Sequence, residues 1–380
     1  MMKRVLCLIM ICICVFSFLP IGVSADVSVD ESIASVILIE ALTGKVLYER
    51  EPDAKHIPAS VTKVMTMLLI MEAIEAGNLS YDDMIVASAN AASMGGSQVY
   101  LKEGEQFSVT DMLKSITMAS ANDACVAMAE HIAGSEEAFV SMMNDKAKQL
   151  GMVNTNFENT NGLDDTVTNH YTSARDIAIM SRELINRFPE ILNFTSVWMD
   201  SVRDGSFGLT NTNRLVRFYK GANGLKTGST SKAGFCISAS AKRDDMQLIA
   251  VIMKAPNRDI RNEAAKKLFD YGFASYGMLS YDEEVLEKQY IKGGKTDNTD
   301  FYIPKYTDVL PKDSKSSVER EVKLNKNISA PLIKGDKVGK VTYKLNGEVI
   351  HEDNIIASSD VDKMTYFGLI SRLLKSFVMV

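Results

Sequence analysis

Cysteine, histidine and net positive charge are all scarce in this sequence. Five cysteines, four histidines and one tryptophan are spread over 380 residues. Cys7, Cys12 and Cys14 fall in the first 25 residues, which leaves only Cys125 and Cys236 for the body of the chain. One bridge is the most that pair can form, so a disulfide-stapled scaffold is excluded. The plainer reading is two buried, inert thiols. His56, His131, His170 and His351 are scattered and fall in no Cys/His ligand pattern, so a zinc site has no support. The net charge of −6 argues against nucleic acid as a partner. Long apolar runs are also rare, and the one from Val5 to Leu19 has a specific reading. Met1-Met2-Lys3-Arg4 precedes it and Val23-Ser24-Ala25 follows, which is the layout of a cleaved secretory signal over residues 1–25. Pro20 and the small residues after it count against an uncleaved anchor. Cys12 and Cys14 lie inside the apolar run, poorly placed for a lipoprotein cleavage site. Loss of the leader would leave 40 basic residues against 48 acidic, a charge of −8.

What remains is too long for one compact core, so at least two domains are expected. Ala34–Glu40 and Lys45–Arg50 read as strands around a turn at Thr43-Gly44. Helical patterns run over Ser60–Ala76, Val109–Met118, Asp123–Ala133, Ser135–Leu150 and Ser173–Phe188. The last opens with Ser173 and Asp176 in a capping-box pattern, with Asp for the usual Glu. Gly234–Ala241 and Gln247–Lys254 read as adjacent strands joined by the polar turn at 242–245, and a helix follows from Arg258 to Tyr271. Strands at both ends with helices between predict one α/β domain over 27–275. Residues 276–357 predict a small all-β domain without a helix. Within it, Lys340–Leu345 and Glu348–Ile356 flank the hairpin signal Asn346-Gly347. On a helical wheel of residues 361–380, Met364, Phe367, Ile370, Leu373, Leu374, Phe377 and Val378 share one face. The stretch is too short and too polar to span a bilayer. It suits a helix lying in a membrane interface, the alternative being a helix packed on the β domain.

Three short motifs carry chemistry. Ser60 opens a helix and Lys63 follows one turn later on the same face. A serine hydroxyl needs an adjacent base to become a nucleophile. Lysine serves only when neutral, and at its free pKa roughly one in 2,500 is neutral at pH 7. Such a site must lower that pKa by desolvation or by a second cation. Ser120-Ala121-Asn122 falls between two helices, where a rigid connection could aim Ser120 and Asn122 into a cleft. Lys226-Thr227-Gly228-Ser229 starts the strand pair, where an edge could offer a lysine, a hydroxyl and close-approaching backbone to an extended peptide. Each motif alone is common: Ser229 with Lys232, and Ser88-Ala89-Asn90, repeat the first two.

Their combination and order are not common. Ser-x-x-Lys at a helix start, Ser-x-Asn between helices and Lys-Thr-Gly on a late strand resemble the set shared by penicillin-binding proteins and serine β-lactamases. Gly95-Gly96-Ser97, Asn161-Gly162-Leu163, the segment from His170 to Ala174 and the segment from Lys267 to Phe273 resemble, more narrowly, the low-molecular-mass D-alanyl-D-alanine carboxypeptidases. That resemblance covers residues 30–275 closely; a β-rich second domain and a C-terminal amphipathic anchor are also features of the family. It implies a catalytic domain of the penicillin-binding-protein and serine β-lactamase kind. It implies an acyl-enzyme on Ser60, with Lys63 as base and Ser120 as proton relay. The backbone N–H groups of Ser60 and Ser229 would form the oxyanion hole. Asn122 would position the substrate amide, and Lys226 would bias the charge at Ser120. Thr227, with Gly228 beside it and Arg261 or else Arg258 or Arg217, would hold the terminal carboxylate of a peptidoglycan stem peptide. No metal or organic cofactor is implied, and β-lactams would be slow-leaving inhibitors. The enzyme would be secreted and held at the outer face of the cytoplasmic membrane. Two rivals stand beside this reading. One is a serine β-lactamase, for which Glu183 to Asn186 would supply the deacylating Glu. The other is a non-catalytic module that binds wall peptide or β-lactam.

Overall fold

The computed structural model of the chain describes residues 27–165 and 167–378, so the leader expected over 1–25 lies outside the described residues. The central sheet has five strands, β1 (Ser35–Glu40), β2 (Val46–Arg50), β3 (Ala222–Thr230), β4 (Gly234–Arg243) and β5 (Met246–Ala255), in the order β2-β1-β5-β4-β3. Every pairing is antiparallel. The inner strands β1 and β5 are covered on both faces, which is why they read as continuous apolar runs rather than alternating ones. Ile37, Ile39, Val251 and Met253 pack toward a helical layer. Val36, Leu38, Ala250 and Ile252 pack toward Leu268 and Phe269 of a single covering helix, Arg258–Ser275.

Between β2 and β3 the chain makes a long helical excursion that contains α1 (Lys63–Glu75), α2 (Asn122–Ala133) and α3 (Ala174–Arg187); the helix behind the sheet is α4 (Arg258–Ser275). In α1 every residue from Lys63 to Met71 is buried. A helix apolar on all sides belongs in a core, and it carries Lys63 into the core with it. Two helices expected from sequence change form at their functional ends. The Ser60 helix begins as a 3-10 turn, Ala59–Thr62, before α1. The one expected over Val109–Met118 is α-helical only to Lys114 and then π-helical over Ser115–Ala119. The capping box at Ser173 is half made. Ser173 Oγ caps the Asp176 N–H (3.1 Å), while Asp176 accepts from Asn154 N and Thr155 Oγ1 instead of reciprocating.

Residues beyond α4 form strands β6 (Tyr276–Tyr281), β7 (Glu284–Tyr290), β8 (Asn298–Ile303), β9 (Tyr306–Pro311), β10 (Val318–Leu324), β11 (Lys337–Leu345) and β12 (Glu348–Ala357). β6 pairs with β9, and the others make a sheet in the order β7-β8-β12-β11-β10. The turn between β11 and β12 has Asn346 and Gly347 both at positive φ (52° and 84°), as a two-residue hairpin turn requires. A short 3-10 segment, Lys312–Ser317, interrupts a region read as free of helix. Lys45 Nζ donates to Val309 O at 2.7 Å and Lys312 Nζ to Phe273 O at 2.6 Å, tying the two parts together. The terminal helix α5 (Tyr366–Val378) starts five residues later than the segment read from sequence.

Candidate active site

The site forms where the 3-10 turn meets the edge strand β3. Gly228 decides how close they come. A Cβ built there would lie 2.8 Å from both Pro58 O and Ser60 N and 2.9 Å from Val61 N. Any side chain at this position would force strand and turn apart, so the glycine places the backbone of Thr227–Ser229 against Ser60.

Lys63 reaches back one turn, with Nζ 3.0 Å from Ser60 Oγ. The same nitrogen lies 2.7 Å from Asn122 Oδ1 and 2.8 Å from Asn161 O. The amide of Asn122 is oriented by its own Nδ2, which donates to Gly95 O at 2.8 Å. Both Asn122 Oδ1 and Asn161 O can therefore only accept. A neutral amine has two hydrogens and one lone pair. With both hydrogens given to those two oxygens, the lone pair is left facing the Ser60 hydroxyl. Lys63 is fully buried and makes no ion pair among the described residues. Burial lowers its pKa to about 8, with the charge of Asp123 acting in the opposite direction. About one molecule in ten then holds it neutral at pH 7.

Ser120 closes the π-helical turn with φ 62° and ψ 35°, a conformation uncommon for a residue with a Cβ. It is nearly buried, two residues ahead of Asn122. Asp123, buried in the first turn of α2, accepts from Val99 N (3.1 Å) and Leu101 N (3.0 Å) and fixes the 97–101 segment beside the cleft. Lys226 is buried in β3 and donates to Thr227 O at 3.0 Å. Burial, and then the charge of Lys63, hold its pKa well below the ordinary lysine range. Thr227 Oγ1 donates to Thr212 Oγ1 at 2.8 Å, and Ser229 is exposed on the strand edge.

Arg261 is 2% exposed on α4. Its Nη1 donates to Cys236 O (3.3 Å) and its Nε and Nη2 to Asn262 Oδ1. Cys236 is the cross-strand partner of Gly228. The guanidinium is thus one strand away from Thr227, behind it, and makes no hydrogen bond to it.

The structure separates these residues from their look-alikes. Ser88 caps a short helix and bonds Glu130 (2.5 Å), as does Asn90. Lys232 donates to Asp164 O, not toward Ser229. Glu183 pairs with Arg187 one turn on in α3, and Asn186 holds Ala41 O, so this segment serves helix and sheet packing. Cys125 and Cys236 are both free and buried, with burial pushing their thiols up to about 12 and about 11.

Some supporting residues had no role in the sequence reading. Asn161 contributes a main-chain carbonyl, which no motif of side chains reveals. His170 is buried and receives the Glu158 N–H on Nδ1 (3.1 Å), so its remaining hydrogen is on Nε2, 2.9 Å from Thr62 Oγ1. Thr62 in turn donates to Ala59 O (2.9 Å), the residue before Ser60, held at φ 48°. Burial lowers the His170 pKa to about 4, which keeps the ring neutral in this relay. The signals were a lone histidine and an Asn-Gly pair, neither of which declares a role before the fold brings them together.

Known proteins resemble the chain along its length. The family described as D-alanyl-D-alanine carboxypeptidase matches residues 23–257, and the penicillin-binding protein 5 C-terminal domain matches 273–363. The D-alanyl-D-alanine carboxypeptidase DacF of Bacillus subtilis is 41% identical, with 98% of each chain covered. Penicillin-binding protein 5 of Haemophilus influenzae superimposes with a TM-score of 0.78 at 32% identity, covering 89% of this chain and 100% of that one. Penicillin-binding protein D2 of Listeria monocytogenes, solved in its ampicillin-bound form, gives 0.59 at 30% identity, covering 64% and 98%.

Proposed function

The chain belongs to the D-alanyl-D-alanine carboxypeptidase family, and from that premise we propose that Ser60, Lys63 and Ser120 carry out its reaction on peptidoglycan stem peptides ending in D-Ala-D-Ala. It is a serine-type carboxypeptidase of the penicillin-binding kind, and the proposal concerns which groups do what. Lys63 takes the Ser60 proton on its lone pair as Ser60 Oγ attacks the carbonyl between the two D-alanines. The main-chain N–H groups of Ser60 and Ser229 receive the developing oxyanion, the kind of preorganised pair worth most in acyl transfer. Ser120 passes a proton to the leaving D-alanine, with Lys226 nearby to bias the charge at Ser120. Asn122 keeps one donor and one acceptor position free for the substrate amide. Thr227 takes the terminal carboxylate, and Arg261 contributes positive charge from behind the strand. Water then cleaves the acyl-ester. β-Lactams enter by the same attack and leave slowly.

The observation that carries this reading is a buried Lys63 whose Nζ lies 3.0 Å from Ser60 Oγ, with the acceptor-only Asn122 Oδ1 and Asn161 O placed to take the two hydrogens of the neutral amine. A β-lactamase reading lacks its deacylating acid, because Glu183 is engaged on α3. The test is release of D-alanine from a D-Ala-D-Ala peptide, with peptide mapping after benzylpenicillin treatment. Wild type should turn over the peptide and carry one long-lived adduct on Ser60, and Ser60→Ala should do neither. An adduct on another residue, or binding without release, would overturn the assignment.

The chain is further proposed to be secreted and held at the outer face of the cytoplasmic membrane by α5. No helix among the described residues is long and apolar enough to cross a membrane. Support for interfacial seating comes from the exposure of Phe367 (83%) and Leu374 (62%), members of the apolar face that packing on the β domain would have covered.

A further inference from the structure

A cavity of about 540 Å3 adjoins the catalytic strand, and none of the motifs accounts for it. Thr212 links it to the site on both sides. Its hydroxyl accepts from Thr227, and its N–H donates to Met118 O (3.0 Å) in the π-helical turn that ends at Ser120. Through Thr212 the cavity therefore adjoins the two groups that, on the reading above, handle the leaving residue. Its wall is built rather than loose. Buried Asn211 donates to Thr195 O (3.0 Å) and Val197 O (2.8 Å), and buried Asn213 donates to Gly224 O (2.8 Å).

The remaining walls are Trp198, Thr210, Phe218 and two arginines, Arg214 and Arg258. No carboxylate lines it, and among the described residues neither arginine forms an ion pair. Two guanidiniums on a fixed wall without counter-charge hold a standing positive potential. Their planar forks suit a carboxylate. D-Alanine has one carboxylate, which Thr227 takes, and a methyl side chain, which leaves this volume and these charges unused.

We propose that this cavity is the subsite for the side chain of the leaving residue and that it favours an acidic one, so that the enzyme also removes D-glutamate from D-Ala-D-Glu termini. The inference rests on the assignment of Thr227 to the terminal carboxylate. The chemistry is unchanged. The D-Ala–D-Glu amide breaks as the Ser60 ester forms, the amine of D-glutamate leaves with the relayed proton, and water hydrolyses the ester.

The test compares diacetyl-L-Lys-D-Ala-D-Xaa peptides in which Xaa is D-Ala, D-Glu or the isosteric, uncharged D-Gln. The ratio of kcat/KM for D-Glu over D-Gln should be about two to five at low salt, the range open to partly exposed ion pairs. It should fall toward one at about 1 M salt, where screening acts within about 3 Å. Arg214→Gln with Arg258→Gln should bring the ratio toward one at low salt. Both side chains are exposed, so the core is undisturbed. Arg258→Glu should favour a D-Lys terminus over D-Glu. Turnover of the D-Ala peptide with a wild-type ratio of one, or a ratio the variants do not change, overturns the subsite and leaves the carboxypeptidase reading intact. No turnover of any peptide overturns both.

Discussion

Lys63 is the residue on which the proposed chemistry turns, and its position has a thermodynamic cost. In the unfolded chain it titrates near 10.5 and in the fold near 8, because burial disfavours the charged form. Between those values the unfolded chain holds a proton that the native chain lacks. The contribution of Lys63 to stability is therefore complete above 10.5, is lost as pH falls toward 8, and stays lost below it, a swing of roughly 3 kcal/mol. Lys63→Met removes that swing. Relative to the variant, wild type should gain roughly this much stability between pH 7 and pH 10.5 in urea unfolding at several pH values. A difference that stays flat over that range would mean the amine is not desolvated. Of the proposed site, Ser60, Lys63, Ser120, Asn122 and the Lys226–Ser229 run could be picked out in the sequence because each is a side chain, or a glycine, in a spaced motif. The Asn161 carbonyl and the Thr62–His170 relay were not, because they act through main-chain groups and through contacts between residues about a hundred positions apart.

Elements set the distances that residues need. Secondary structure was readable where period and burial agree, as in β1, β5 and the hairpin at Asn346-Gly347. It was misread where function bends the backbone. The 3-10 turn before α1 and the π-helical turn before Ser120 both follow sequence that is good for an ordinary helix, and both owe their shape to packing against β3 and the 210–212 segment. Gly228 makes the close contact between β3 and the 3-10 turn. Gly228→Ala would push Cβ into Pro58 O and Ser60 N, and displacements of this order at a reacting centre cost about a hundredfold in rate. The penicillin acylation rate of the variant should fall by about that factor, and an unchanged rate would show that the turn and strand can part freely.

At the scale of the whole molecule, the domain of the central sheet, the β domain and α5 follow one another along the chain, and on the proposed reading the first holds the reaction centre and the last is the interfacial helix. Their order and composition were visible in the sequence. The contacts between them were not, since Lys45 with Val309 and Lys312 with Phe273 join lysines to main-chain carbonyls. A chain ending at Thr365 keeps those contacts and loses α5. It should release D-alanine from a soluble peptide within about twofold of the full chain, yet fail to float with anionic vesicles that carry the full chain. Flotation of the shortened chain would place membrane affinity elsewhere. The account as a whole depends on a neutral amine activating Ser60, and the pH dependence of benzylpenicillin acylation measures that most directly. The second-order rate constant should rise with pH through an apparent pKa near 8 and then level. A rate constant flat from pH 6 to 10, or one that rises only near 10.5, would contradict it.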